Sequence, residues 1–256
     1  MHRVNSTIRL SLLIVALLVG GCSSDPSEPS DQTLKNPQMP WFLSMAAPSN
    51  YGHFYITAQS SGTSTLYNSG GIIYTSTAQT QTTNGGTMTA GSLQITPDSN
   101  DVYFAIAQPM FGTTASWGLS GNPVAGIPSF SDSMYVPDEI ILVSPSLGSV
   151  ISKSNALTIT WNQDIYNDTV AIWLRYDNAV SAYADSTLPN SAYSKYWIVS
   201  DNGQFSIPSS DLLSIPTGGY ASIVIARGNS KLTGSSTHKF VVYSASTASG
   251  IFKMVQ

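Results

Sequence analysis

The chain has 256 residues, of which 42% are hydrophobic and only 9% are charged, and its formal net charge is −4 at pH 7. Soluble domains usually carry about a quarter of their residues as charges, and an acidic chain has no general attraction for nucleic acid or for an anionic membrane surface. The composition therefore excludes nucleic acid as an expected partner. It suits exported β-rich proteins, in which uncharged polar residues cover the wet face of a sheet.

The first 21 residues combine a basic start with an apolar run. Arg3 and Arg9 precede the apolar run, which is residues 10–20, LSLLIVALLVG. Ser11 is its only polar side chain. A run of about eleven residues is too short for a bilayer, which needs about twenty, so the pattern predicts a cleavable secretory signal. Without Arg3 and Arg9 the chain keeps eight basic and fourteen acidic residues, a net charge near −6.

The single cysteine, Cys22, follows this apolar run directly. The sequence Val19-Gly20-Gly21-Cys22 resembles the lipobox of bacterial lipoproteins, in which an aliphatic residue and two small residues precede the cysteine. The resemblance implies that the Cys22 thiol receives a diacylglyceryl group, that residues 1–21 are removed, and that the new amino terminus gains an acyl chain such as palmitate. Two or three chains make a stable anchor, so we expect attachment to a membrane through Cys22. A core cysteine after a membrane helix is the alternative.

Residues 22–40 are rich in Ser, Pro and Asp and lack apolar periodicity, which predicts a disordered tether. Position 23 is Ser, whereas Asp at this position retains enterobacterial lipoproteins on the inner membrane. Asp25, Glu28 and Asp31 resemble the acidic export tether of surface lipoproteins in the Bacteroidetes group. These resemblances imply a cell-envelope location at the outer membrane, and they leave the periplasmic and the surface face both open.

Residues 41–137 alternate short β-like runs with turn residues and show no helical spacing. The pattern predicts strands at 54–58, 64–67, 71–77, 87–96, 102–107 and 114–119. Asn68-Ser69-Gly70 is typical of a turn and predicts a break between the second and third of these strands. We expect a small antiparallel sandwich or barrel-like domain here.

Residues 138–256 resemble bacterial immunoglobulin-like or fibronectin type III-like modules at their start. Ile140-Ile141-Leu142-Val143-Ser144-Pro145, then Gly148, then Leu157-Thr158-Ile159-Thr160-Trp161 matches an opening strand that ends in Pro, a Gly turn, and an alternating strand that brings Trp to the core. The resemblance implies a β-sandwich with Trp161 in its core and without the disulfide of antibody domains.

The same alternation of apolar and polar residues recurs through the second half, at 170–176, 196–200, 204–207, 221–225 and 240–251. Ser210-Asp211-Leu212-Leu213 predicts one helical turn, capped by Ser209 or Ser210. The fold class is therefore all-β, with two antiparallel β-sandwich-like domains, 41–137 and 138–256, after the signal peptide and the tether.

The mature chain contains only two histidines, His53 and His238, so few residues are available for histidine-based catalysis. We expect exposed or edge positions for both. The sequence contains no G-x-S-x-G, H-E-x-x-H, phosphate-binding glycine loop or G-x-G-x-x-G pattern. We therefore expect no enzymatic activity and no cofactor.

Two acidic pairs, Asp98 with Asp101 and Asp164 with Asp168, lie in probable turn segments. Neither pair has the twelve-residue spacing of a calcium loop, and turn formation explains both, so we expect no metal. A hydrolase that uses one of these carboxylate pairs remains an alternative.

Five aromatic side chains outside the expected core are candidates for ligand binding: Trp173, Tyr183, Tyr193, Tyr196 and Trp197. Aromatic groups presented by a sandwich can stack on sugar rings or anchor a protein partner. Tyr196 and Trp197 point to opposite faces of one strand, so at least one should be core. We expect a non-enzymatic, lipid-anchored envelope protein that binds a partner or has a structural role. The alternative is glycan binding through these aromatics.

Overall fold

The structure is a computed structural model that describes residues 50–61, 64–106 and 110–256, and the backbone of residues 39–40. These residues belong to one compact unit, Pro37–Gln256. Cys22, the predicted signal peptide and the tether up to residue 38 lie outside the described residues. What the sequence predicts for them stays a prediction.

The regular secondary structure of the described residues is mainly β-strand, as the sequence predicts. The strands of the first half are β1 (Met39–Pro40), β2 (Gly52–Ser61), β3 (Ser64–Ile73), β4 (Met88–Ala90), β5 (Leu93–Ile95), β6 (Val102–Ala105), β7 (Thr113–Leu119) and β8 (Phe130–Val136). Those of the second half are β9 (Leu142–Ser144), β10 (Val150–Ser152), β11 (Leu157–Trp161), β12 (Thr169–Tyr176), β13 (Ser194–Ser200), β14 (Gln204–Ile207), β15 (Tyr220–Gly234) and β16 (Lys239–Val255). The helices are α1 (Asn178–Ala184), α2 (Ser209–Leu212) and a 3-10 turn, Pro123–Ala125.

A long sheet runs through the whole fold, in the order β13-β12-β15-β16-β2-β3-β6, with β1 beside β15 and β10 beside β16. Its centre is the hairpin of β15 and β16, which are 15 and 17 residues long. One half of this hairpin pairs with β12, and the other half pairs with β2. The pairs of β16 with β2 and with β10 are parallel, and the other pairs are antiparallel.

Two smaller sheets complete two hydrophobic clusters with the long sheet. The four-stranded sheet β5-β4-β7-β8 contributes Trp117 and Met134 to the first cluster, together with Phe54 from β2. The three-stranded sheet β14-β11-β9 contributes Ile159 and Trp161 to the second cluster. The fold is therefore an all-β sandwich-like fold, and Trp161 lies in its core as expected.

The hydrophobic clusters do not follow the predicted domain boundary strictly. The first cluster takes Phe240 and Val242 from β16, although most of its members precede residue 137. The division into domains 41–137 and 138–256 stays a prediction. The hairpin of β15 and β16 contributes buried side chains to both hydrophobic clusters.

The predicted turn at Asn68-Ser69-Gly70 is wrong, because these residues lie inside the single strand β3. A Cβ atom on Gly70 would lie 2.4 Å from the carbonyl oxygen of Tyr103 and 2.8 Å from the hydroxyl of Tyr55. The glycine therefore permits close packing of a neighbouring strand and side chain, a use that sequence alone does not separate from a turn.

Other elements differ in extent. The predicted strand 87–96 is a hairpin of β4 and β5, because Gly91 adopts a φ of 60° between them. Residues 39–40, predicted as tether, form β1 against Asn229 and Ser230. The predicted serine cap of α2 is wrong, since Pro208 precedes the helix and gives no side-chain hydrogen bond. Helix α1 was not predicted; Asp177 caps it by accepting the amide hydrogen of Val180.

Candidate functional site

Two of the candidate aromatic residues lie side by side on the face of β12, β13 and β15 that points away from the second hydrophobic cluster. Trp173 on β12 stands directly opposite Tyr196 on β13 and Val224 on β15. Tyr196 is 52% exposed and its strand neighbour on the same face, Ile198, is 47% exposed, whereas Trp173 and Val224 are partly buried. We call Trp173, Tyr196, Ile198 and Val224 the outer patch. It is a contiguous apolar surface on three paired strands.

Arg175 borders the outer patch. It lies two residues along β12 from Trp173, on the same face, and stands opposite Ser194 and Ser222 on the two neighbouring strands. Its side chain is exposed, and it takes part in none of the ion pairs between described residues. An aromatic surface therefore meets a guanidinium group and two hydroxyl groups at about 7 Å along the strand.

Two other predicted binding residues face the second cluster: Trp197, on the opposite side of β13, and Tyr193, which directly precedes this strand. Both are partly buried against the second cluster. The Tyr193 hydroxyl lies 3.4 Å from the carboxylate of Asp211, and burial raises the pKa of this tyrosine. The Trp197 ring lies 5.5 Å from the ring of Phe205. These two aromatics therefore contribute to packing.

Tyr183 is 95% exposed on helix α1 and belongs to neither group. The structure thus brings two of the five predicted aromatics, Trp173 and Tyr196, together on one surface. It adds Ile198 and Val224, which the period of two places on the same face but which the sequence analysis did not select.

The histidines occupy different surroundings. His53 lies in β2 between β16 and β3, so the edge position expected for it is wrong, and burial lowers its pKa from 6.5 to about 4. His238 precedes β16, and its ring lies 4.3 Å from that of Tyr51. The hydroxyl of Thr237 lies 3.1 Å from His238 Nδ1.

One member of each acidic pair accepts local hydrogen bonds. Asp164 is only 2% exposed and accepts hydrogen bonds from the Tyr135 hydroxyl and from the Asp138 and Tyr166 amides, whereas Asp168 is exposed. Among the residues that the structure describes, no group of three or more His, Cys, Asp and Glu side chains could hold a metal ion.

Asp98 has a similar local role. Its carboxylate accepts the amide hydrogens of Asn100 and Val102 at 2.8 and 3.0 Å, and these bonds lower its pKa. This is the turn-forming arrangement that the sequence predicts for the pair.

Sequence analysis missed a buried ion pair between Arg227 and Asp201. Arg227 is 1% exposed, and its Nη2 atom lies 3.0 Å from Asp201 Oδ1. The guanidinium also donates to the backbone carbonyls of Asp138, at 3.4 Å, and Asn162. It therefore fixes the segment that connects β8 to β9. The available signal was the position of Arg227, which follows the core-facing Ile223 and Ile225 at the same spacing of two.

Asp201 is held by two further donors. Trp161 Nε1 lies 2.7 Å from its Oδ1 atom, and Asn167 Nδ2 lies 3.0 Å from its Oδ2 atom. Burial raises the pKa of the Asp201 carboxyl, and the guanidinium of Arg227 opposes this shift. The group holds these segments together and presents no reactive atom to solvent.

A concave surface lies on the four-stranded sheet. It is a shallow depression of about 370 Å³ lined by Thr87, Thr89, Gln94, Ser116 and Ser120 together with parts of neighbouring residues. Its lining contains hydroxyl and amide groups and no charged side chain. It offers hydrogen bonds but no group for acid-base chemistry.

Comparison with known proteins gives little further information. No family model and no curated protein matches the chain. A solved structure of a Salmonella alpha-2-macroglobulin variant aligns with 88% of this chain at 11% identity and a TM-score of 0.23, and the alignment covers 16% of that protein. A likeness of this size carries no argument. In the described part of the chain, no helix has the length and apolar character needed to cross a membrane.

Proposed function

We propose that this protein is a lipid-anchored, non-enzymatic binding module of the cell envelope that contacts its ligand through the outer patch. The observation that carries the binding role is the cross-strand pair of Trp173 and Tyr196, with Tyr196 52% exposed. Large aromatic side chains that form a contiguous exposed surface are typical of binding sites. The strands beneath hold them in fixed positions, so little conformational entropy is lost on binding.

The strand order supports the likeness to immunoglobulin-like and fibronectin type III-like modules. Strands β14-β11-β9 form one sheet and β13-β12-β15-β16 form part of the other, with Trp161 between them. This three-on-four arrangement is a sandwich of that general kind. Because such folds carry many functions, the binding role rests on the outer patch and not on the fold.

A non-enzymatic role is supported by the state of the acidic pairs. A carboxylate pair that hydrolyses glycosidic bonds must flank one cleft. Asp164 instead accepts hydrogen bonds from Tyr135 and two backbone amides, while Asp168 is exposed. The carboxylate of Asp164 is therefore committed to holding the connection between the two halves.

The anchor rests on the sequence Val19-Gly20-Gly21-Cys22 and on the apolar run before it. Its test is the mass of the first peptide of the protein isolated from its native host. The expected first residue is Cys22, with the added mass of a diacylglyceryl group and an amide-linked acyl chain. Ser23→Ala is the matched control and leaves this modification unchanged. An unmodified peptide that begins at residue 1 contradicts the anchor.

A glycan is the second, more specific candidate for the ligand of the outer patch. The observation that favours it is Arg175 with Ser194 and Ser222, one step along the strands from the aromatic pair. A sugar ring stacked on Trp173 and Tyr196 places a substituent within reach of the guanidinium. Because this group binds carboxylates bidentately, a sugar acid fits the surface.

The test is a glycan array probed with the full-length protein in detergent. We expect binding that Trp173→Ala and Tyr196→Ala each weaken at least about fivefold, the loss that corresponds to about 1 kcal/mol. Tyr183→Ala removes an aromatic of greater exposure outside the patch and leaves binding unchanged. Failure of the wild type to bind any glycan removes this candidate, and it leaves the lipid anchor to its own test.

A further inference from the structure

Strand β13 is an open edge of the long sheet. It pairs with β12 and with no other described strand, over all seven residues Ser194–Ser200. The pairing with β12 is continuous and without a bulge, and the strand contains no proline or glycine. Five of its seven residues are exposed. An edge of this length with apolar side chains presents unpaired backbone groups to another strand.

The charged side chain on this edge forms an ion pair within its own fold, and it stays 46% exposed. Lys195 is the only charged residue of β13, and its Nζ atom lies 2.7 Å from Asp211 Oδ1. The same ammonium group lies 5.5 Å from the centre of the Trp197 ring. Soluble proteins commonly protect edge strands with charged side chains, lysine above all. Because Asp211 already neutralises Lys195, this charge opposes the addition of a further strand less than an unpaired lysine would.

We infer that β13 pairs with β13 of a second copy of this chain, in antiparallel register about a two-fold axis at Trp197. In this register Tyr196 of one copy stands opposite Ile198 of the other, so the two most exposed apolar residues of the strand cover each other. Lys195 stands opposite Val199, and no like charges meet. The strand is thus complementary to itself, as an isologous interface requires.

The pairing also joins the two outer patches into one surface. In the paired strands, Tyr196 of one copy lies beside Ile198 of the other. The row Trp173–Tyr196 of the first copy is therefore followed by the row Ile198–Ala171 of the second. A seven-residue strand is about 23 Å long, so the contact lies at the low end of interface sizes and is weak in dilute solution. Confinement to a membrane raises the effective concentration. That concentration rests on the proposed anchor, but the register does not.

The test is disulfide formation between full-length chains in intact cells. Tyr196→Cys and Ile198→Cys are made as separate chains and co-expressed before oxidation. We expect the co-expressed pair to give about tenfold more linked dimer than either variant alone, because opposite residues lie within disulfide range and the diagonal pairs of a single variant do not. The wild type, with Cys22 as its one cysteine, gives the baseline.

A further substitution, made in the same co-expressed cysteine pair, tests the role of Asp211. In the co-expressed pair, Asp211→Asn releases Lys195 toward the edge, and we expect linked dimer to fall about fivefold. Asp132→Asn is the matched control, since it releases Lys231 from the ion pair at 2.5 Å on another part of the sheet and leaves dimer unchanged. Resistance to limited proteolysis confirms that each variant is folded.

Equal yields from the pair and from either single variant overturn the proposed register. If the co-expressed pair gives no more linked dimer than the wild type, self-pairing of β13 is overturned. An equal effect of Asp211→Asn and Asp132→Asn overturns the role of Lys195. None of these results depends on glycan binding, so failure here is distinct from failure of the outer patch as a ligand site.

Discussion

Replacement of Arg227 by methionine tests the buried ion pair most severely. The change keeps an apolar chain of similar length in the strand but removes the guanidinium, which lies 3.0 Å from Asp201 and donates to the carbonyls of Asp138 and Asn162. Asp201 keeps its hydrogen bonds from Trp161 and Asn167 but loses its only cation. A buried charge is then left without a counter-charge.

The expected magnitude follows from the burial of both partners, whose side chains are 0% exposed. Breaking one side of such a pair destabilises a protein by about 3–5 kcal/mol, so we expect the free energy of unfolding to fall by about 4 kcal/mol. Lys231→Met is the control, because the Lys231–Asp132 pair has side chains 41% and 24% exposed. Pairs of this kind contribute about 0–1 kcal/mol.

The assay is urea denaturation of each variant, with the midpoint shift read at constant m value. Arg227→Met combined with Asp201→Leu removes both charges, and we expect it to be more stable than Arg227→Met alone by about 2 kcal/mol. An Arg227→Met protein within about 1 kcal/mol of the wild type, or no more destabilised than Lys231→Met, refutes this reasoning.

Two further predictions concern stability. Burial lowers the pKa of His53 from 6.5 to about 4. Between pH 6.5 and about pH 4 the unfolded chain therefore binds a proton at this residue that the folded chain does not bind. The free energy of unfolding is consequently unaffected by His53 above pH 6.5 and decreases as the pH falls below that value. Wild type should lose about 2 kcal/mol more than His53→Gln between pH 7 and pH 5 in urea titrations, and parallel losses contradict the shift. Gly70→Ala should lower the free energy of unfolding by about 1–3 kcal/mol, because the new Cβ would lie 2.4 Å from the Tyr103 carbonyl oxygen. Gly118→Ala, with its nearest contact at 3.3 Å, should cost less, and equal losses argue against the close approach.

The sequence predicts the fold class and several strands well because their side chains alternate between core and solvent. Residues 157–161 and 204–207 match β11 and β14 at both ends. It fails where one residue type has two uses. Gly70 is predicted as the end of a turn, yet it lies inside β3, where the Tyr55 side chain packs against it. Whether a glycine closes a turn or admits a neighbour is decided by residues far away in the chain.

The candidate site shows the same limit. Periodicity places Trp173 and Arg175 on one face of a strand, but only the pairing of β12 with β13 brings Tyr196 beside Trp173. Tyr193 and Trp197 were equally good candidates by composition, and they pack against the second cluster. Arg227 finds its partner in Asp201, which lies 26 residues away in the sequence. Such partners follow from strand order, which local patterns do not contain.

The central claim, that the outer patch is the binding surface, is tested most directly by one affinity comparison. The glycan with the strongest array signal is titrated calorimetrically into wild-type protein, Trp173→Ala and Tyr183→Ala, with all three shown to unfold at the same urea concentration. We expect Trp173→Ala to weaken binding by at least about fivefold and Tyr183→Ala to match the wild type. Equal affinities of Trp173→Ala and wild type would contradict it.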